Sequence, residues 1–200
     1  MIKCNVTING AISRAASMRT GKEGKTYISF AVKVNVASKD GDSCKTVEVS
    51  VLQESEGNEL TQYSSGKRVE LKGSLTFRKR VSNFYFNFHA DSVEFSPVNN
   101  QDGITGSMEF KGTIGKQVDE KTDKKGQKYL IFSAFSTEKD GDIFEYTWVR
   151  FIRFAPEHEA FLIPKGKIHI NGPLEISIYQ DKINLGCRVE EISEWVKQDA

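Results

Sequence analysis

The second hundred residues of this 200-residue chain repeat the order of the first. Lys-Asp-Gly-Asp stands at Lys39–Asp42 and again at Lys139–Asp142. Alone this would be weak, because Asp-Gly is a common hairpin turn. It has company in series. Gly24-Lys25-Thr26-Tyr27-Ile28-Ser29-Phe30 faces Gly126-Gln127-Lys128-Tyr129-Leu130-Ile131-Phe132, and Ile8-Asn9-Gly10 faces Phe110-Lys111-Gly112. Downstream, Gly66-Lys67-Arg68-Val69 through Leu75 faces Gly166-Lys167-Ile168 through Leu174. The offset drifts from 102 to 99, as small loop insertions and deletions require. Repetition at a fixed period is the strongest constraint a sequence offers on its fold.

Two copies of one unit predict two small domains, residues 1–97 and 108–200. Between them, residues 98–107 read as a linker. The seam from Ser96 to Ser107 is rich in Asn, Gly and Ser and lacks periodicity. Each copy is near the lower end of domain size. With 38% hydrophobic and 28% charged residues the chain reads as globular. No apolar stretch approaches the ~20 residues of a membrane span, and Met1–Val6 does not read as a signal peptide. Cys4, Cys44 and Cys187 are few and far apart, which fits a reducing cytoplasm.

Within each copy the periodicity is that of strands. Ile28, Phe30, Val32, Val34 and Val36 alternate with Tyr27, Ser29, Ala31, Lys33 and Asn35. After a hairpin at Lys-Asp-Gly-Asp, Val47, Val49 and Val51 alternate with Glu48, Ser50 and Leu52. A polar stretch follows in which a short helix is expected, over Glu54–Ser65 and again over Pro156–Ile163; Pro156 suits a first helical turn. Val69, Leu71, Gly73, Leu75 and Phe77 then alternate with polar and charged residues, and Phe84–Phe95 closes the unit. Phe84, Phe86 and Phe88 are expected in the core. Three strands, a helix and two strands describe an all-β fold of two tandem OB-folds, each a five-stranded Greek-key barrel; periodicity alone also admits another small barrel or a sandwich.

Thr147-Trp148-Val149-Arg150-Phe151-Ile152, then Lys165-Gly166-Lys167-Ile168-His169-Ile170-Asn171-Gly172-Pro173-Leu174, resembles bacterial and phage single-stranded DNA-binding proteins. Gly66–Leu75 and the two opening strands resemble them too. Two such domains in one chain are similar to the two-OB variant of the family, in which two chains assemble to present four barrels. The resemblance implies single-stranded DNA as partner, a role in replication, recombination or repair beside proteins of those processes, and no cofactor. It also implies binding roles for Trp148, Arg150 and Phe154. In many members an acidic tail ending in Phe recruits partners; Glu194–Ala200 is not such a tail, so that route is expected to be absent.

Alternation gives an argument independent of the family. If Val149 and Phe151 face the core, Tyr146, Trp148, Arg150, Ile152 and Phe154 share the outer face. Tyr129 and Phe135 lie opposite Leu130, Phe132 and Ala134 in phase and extend the platform. Aromatic faces beside cations suit a sequence-tolerant single-strand site, because every base has a π-face and Arg neutralises phosphate. The first copy departs from this, with Glu48, Ser50 and Leu52 in the matching places. Its candidates are Tyr27 and Lys33 on the outer face, Arg78, Lys79 and Arg80 in the loop between its fourth and fifth strands, and Tyr85. Residues 1–98 carry 14 Lys and Arg against 10 Asp and Glu, a balance of +4; residues 99–200 carry 14 against 17, a balance of −3.

Trp195 reads as packing the C-terminus or an interface. His89, His158 and His169 are isolated, no Cys pair has zinc-ligand spacing, and no phosphate loop or nucleophile elbow occurs. No metal site and no enzymatic activity are expected. Two other readings stand beside DNA binding. One is an OB-fold interaction module; the other is an RNA or oligosaccharide binder on the same barrel face.

Overall fold

The computed structural model describes residues 1–21, 24–38, 44–55, 60–80, 83–154 and 159–196. The chain divides into two compact units. One holds Cys4–Gly106 with Ser177–Lys182; the other holds Ser107–Ile176 and Ile183–Ala200 with Met1–Lys3.

The first unit is built on β1 (Ile2–Thr20), β2 (Thr26–Ala37), β3 (Cys44–Glu54), β4 (Arg68–Arg80) and β5 (Asn83–Phe95). β1, β2 and β3 form an antiparallel meander. β5 runs parallel to β3, with Val49 opposite Phe86 and Val51 opposite Phe88. β4 pairs antiparallel with β5 and returns to β1, with Cys4 opposite Leu75 and Ala11 opposite Arg68. The order β1-β2-β3-β5-β4-β1 is closed, and it is the Greek-key order of an OB-fold.

The second unit repeats that order with β6 (Gly103–Thr122), β7 (Lys128–Asp140), β8 (Ile143–Arg153), β9 (Lys167–Tyr179) and β10 (Lys182–Arg188), β9 closing on β6. β6 begins at Gly103, inside the seam. The short β11 (Glu191–Glu194) pairs with β9 where the end of β5 pairs with β4 in the first unit. β10 and β11 are therefore one strand interrupted at Val189–Glu190. The Lys139–Asp142 turn is a two-residue connection, with Asp140 opposite Ile143 and Gly141 at φ 62°. Its copy at Lys39–Asp42 lies outside the described residues.

Alternation sorts most of the core as the pattern requires; Ser29 and Ala31, on the opposite phase of β2, are buried as well, where β1 crosses them with a register shift. Ile28, Phe30, Val32, Val34, Val47, Val49, Val51, Val69, Leu71, Leu75 and Phe77 are buried in the first unit; Leu130, Phe132, Ala134, Val149, Phe151, Ile168 and Ile170 are buried in the second. Phe86 and Phe88 are core, but Phe84 is only half-buried. It lies near the far end of the β4–β5 hairpin, against Phe77 and Phe86 rather than beneath a second layer.

Among the described residues, the expected helices are largely absent. Glu54 still belongs to β3, where it pairs with Tyr27. One 3-10 turn, Leu60–Gln62, stands in the first connection, and the described part of the second, 159–163, has no helix. The connections instead plug the barrels with single side chains. Tyr63 packs on Phe30 and Phe95 and donates its hydroxyl hydrogen to Gln53 Oε1 at 2.6 Å; Leu162 is the buried residue at the matching place. Pro156 lies outside the described residues.

The repeated glycines mark close approaches. A β-carbon at Gly73 would stand 2.1 Å from the His89 carbonyl oxygen, and one at Gly172 would stand 2.0 Å from that of Arg188. Gly172→Ala is therefore expected to destabilise the second unit by about 2–4 kcal/mol, read as a lower urea midpoint. An unchanged midpoint would show that the strands separate there at no cost.

Cys187 sits inside the same barrel opposite Phe151. Burial, reinforced by the Glu175 and Glu190 carboxylates, pushes its thiol up from 9.0 to about 12. The unfolded chain then loses this proton first, so stability falls as pH rises from about 9 towards 12. Alkaline unfolding of Cys187→Ala should show a shallower pH dependence than the parent over that window.

Candidate nucleic-acid interface

The β7–β8 ladder builds the site. Phe135 stands opposite Trp148, Ser133 opposite Arg150 and Ile131 opposite Ile152. Inward-pointing Val149 and Phe151 fix the phase, so the other set faces out. Trp148 is 50% exposed, Tyr146 47% and Phe154 39%. Arg150 is exposed between Trp148 and Ile152.

The rings support one another. Phe135 packs on Trp148 at 4.9 Å between centroids and edge-on to Tyr146 at 5.5 Å. Tyr129 stacks on Phe154 at 5.2 Å. The outer face of β8 thus carries two aromatic clusters with Arg150 between them. Rings held by neighbouring rings lose little freedom when a base stacks on them.

Three features of this face are not evident from the sequence alone. Arg188, opposite Ile152 on β10, places its guanidinium 5.2 Å from the Phe154 centroid, a cation–π contact. Only the parallel β8–β10 pairing brings it there; its phase opposite Leu185 and Cys187 is the one local signal. Phe144 is 55% exposed near the hairpin turn, with the Lys139 ammonium 5.9 Å from its ring. Counted from Phe144 to Phe154 the row is about 34 Å long at ~3.4 Å per residue. Finally, a cleft of about 180 Å³ opens beside Trp148, lined by Gly115, Lys116, Gln117, Asp119, Ile131 and Ser133 among others. It lies where the β6–β7 register jumps from Ile114–Ala134 to Val118–Phe132, leaving Gly115, Lys116 and Gln117 without ladder partners on β7.

The first unit presents different chemistry on the matching strands. Lys33 stands opposite Glu48, and Ser13 Oγ donates to Glu48 Oε2 at 3.0 Å. Tyr27 is half-buried, edge-on to His89 at 6.5 Å. Arg78, Lys79 and Arg80 are not in a loop: they end β4, paired with Tyr85, Phe84 and Asn83. The hairpin is longer than the charge pattern implies because the β4 alternation continues through the charged residues. Arg78 and Tyr85, the latter 46% exposed, form one outward cross-strand pair, while Lys79 pairs with Phe84. The structure groups Tyr129, Phe135, Tyr146, Trp148, Arg150 and Phe154 on one face; in the first unit it brings Arg78 and Tyr85 together, away from Tyr27.

Trp195 is half-buried, its backbone N–H donating to the Lys167 carbonyl. Among the described residues no three His, Cys, Asp or Glu side chains group as a metal site would need. No described helix is long and apolar enough to cross a membrane, which says nothing of a membrane β-barrel.

No protein-family profile matches the chain, and no curated protein matches it in sequence. Solved structures similar to it include bacterial single-stranded DNA-binding proteins. The wild-type protein from Thermus aquaticus is 14% identical, with a TM-score of 0.49, over 98% of this chain and 95% of that one. The small single-stranded DNA-binding protein from Streptomyces coelicolor is 17% identical, with a TM-score of 0.34, over 48% of this chain and 94% of that one. Strand order and ladder register, not these likenesses, carry the fold assignment.

If Phe135 holds the Trp148 ring, Phe135→Ala should free it. In a Trp195→Phe background, leaving Trp148 as the sole emitter, its fluorescence anisotropy should decay faster, with a stability loss beyond area burial of about 1 kcal/mol. Unchanged anisotropy decay would mean that the ring is held by the β6 backbone alone.

Proposed function

We propose that this chain binds single-stranded DNA with little regard to sequence, covering and protecting it in replication, recombination or repair. One observation carries the reading: the exposed aromatic row flanking Arg150 on the outer face of the β7–β8 ladder. Stacking on each such ring contributes about 1–3 kcal/mol, and one cation per phosphate supplies the remainder without reading the base. This reading needs no bond-making group on that face. Phe154 already has Tyr129 on one side and Arg188 near its ring, so Trp148 is the more open platform.

The first unit contributes charge more than stacking. Arg78 and Arg80 line one side of the β4 end, with Tyr85 beside Arg78, whereas Glu48 disfavours phosphate near Lys33. The +4 balance of residues 1–98 against −3 for the rest supports this division. Assembly of two chains into a four-barrel dimer belongs to the same proposal.

Titration with oligo-dT at two salt concentrations tests the reading, with duplex DNA and oligo-U as controls. Binding should quench Trp148 emission, weaken with salt and strongly favour the single strand over duplex. Trp148→Ala should lose about 1–3 kcal/mol of affinity. Absence of single-strand binding by the intact chain would sink the proposal; equal affinity for oligo-U would widen it to RNA. Replacing Arg78, Lys79 and Arg80 together by Ala should flatten the slope of log K against log salt by ~0.7 for every phosphate no longer neutralised. An unchanged slope would remove the first unit's hairpin from the site.

A further inference from the structure

The cleft beside Trp148 has the chemistry of a base-edge subsite. The register jump in β6 leaves Gly115–Gln117 without ladder partners on β7, and Ser133 is exposed beside them. Trp148 forms one wall. Its ring is buttressed by Phe135 and runs so close to Gly115 that a β-carbon there would stand 3.0 Å from Trp148 Cζ3. Lys116 at the cleft supplies a cation for the strand's phosphate, and the remaining polar lining is unlike a general phosphate site. Asp119 is a carboxylate, which repels phosphate and accepts only from donors; Gln117 offers both a donor and an acceptor; Ser133 offers a hydroxyl. A carboxylate within a cleft lined by a stacking ring is suited to an exocyclic amine, as when Asp or Glu accepts from cytosine N4.

The first unit supplies an internal comparison. Ser13 occupies the place of Gly115 and Glu48 that of Trp148, and the two side chains hydrogen-bond to each other at 3.0 Å. There the stacking wall is missing and a carboxylate takes its position. The open, ring-walled arrangement belongs to the second unit.

We propose that this cleft holds one nucleobase of the bound strand, stacked on Trp148, with Asp119 accepting from its exocyclic amine and Gln117 meeting the adjacent edge. The subsite rests on the single-strand reading above and adds to it a bias at one position: amine-bearing bases are preferred there, and thymine, which presents carbonyl oxygens on both sides of its one N–H, is disfavoured.

The test compares oligo-dC with oligo-dT, two pyrimidine strands that differ at the base edge, by competition against a labelled strand. Homopolymers differ in flexibility too, so the readout is the dC:dT affinity ratio of each variant divided by that of the parent. Asp119→Asn should raise affinity for dT and lower the dC:dT ratio at least about threefold. Gln117→Ala should lower the ratio without changing the salt slope. Asp119→Glu, which keeps the acceptor, should retain most of the bias. Parent-like ratios in both Asp119→Asn and Gln117→Ala, with Trp148-dependent quenching intact, would overturn the subsite and leave the single-strand reading standing. No binding of either strand by the parent would overturn both.

Discussion

The parallel pairing of β8 with β10 is the constraint on which the second unit depends. It can form only because β9 leaves β8 by a connection, crosses to β6 and feeds β10 back between itself and β8. That crossing closes the barrel, and closure gives every described barrel strand a neighbour on each side and the side chains a definite inside. Once Leu185 and Cys187 meet Val149 and Phe151 inside, Arg150, Ile152 and Arg188 have only the outer face left. The exposed aromatic face is thus a by-product of how the core is phased. The first unit has the same topology around β3 and β5, so the difference between the two faces lies in side chains.

Much of this is legible in the sequence because period two is a short-range signal. The repeat sets the number of units, and alternation separates Trp148 and Arg150 from Val149 and Phe151 without knowledge of any neighbour. What stays hidden depends on register between strands distant in sequence. Arg188 lies thirty-four positions from Phe154, and nothing local announces that its guanidinium meets that ring. The cleft is hidden for the same reason, since a bulge in β6 is defined only against β7. Polar composition between β3 and β4, and between β8 and β9, suggests helix, yet the structural task of each connection is to deliver one side chain, Tyr63 or Leu162, into the barrel end. A turn is enough for that. The Arg78–Arg80 run reads as a loop because charge usually marks one, but its alternate residues continue the β4 ladder.

The two units also show how one scaffold can hold opposite electrostatics without altering its backbone order. On the β2–β3 ladder Lys33 faces outward opposite Glu48; on β7–β8 the outward pairs are Phe135 with Trp148 and Ser133 with Arg150. The inward residues scarcely change in character. Core packing demands volume and apolarity, whereas the outer face is answerable only to its ligand, so the two surfaces of one strand diverge independently.

Gly115 and Trp148 carry a historical consequence. If the halves arose by duplication, one ancestral pair became Ser13 with Glu48 in one copy and glycine with tryptophan in the other, or the reverse. Neither path is smooth in single steps. Tryptophan arriving opposite a serine meets a β-carbon where its ring edge must lie, and glycine arriving opposite a glutamate removes that carboxylate's hydroxyl partner. Each intermediate gives up one of these fits. Side chains in one contact are expected to couple, so a change at either position is felt at the other, and the two barrel faces diverge in paired rather than single substitutions.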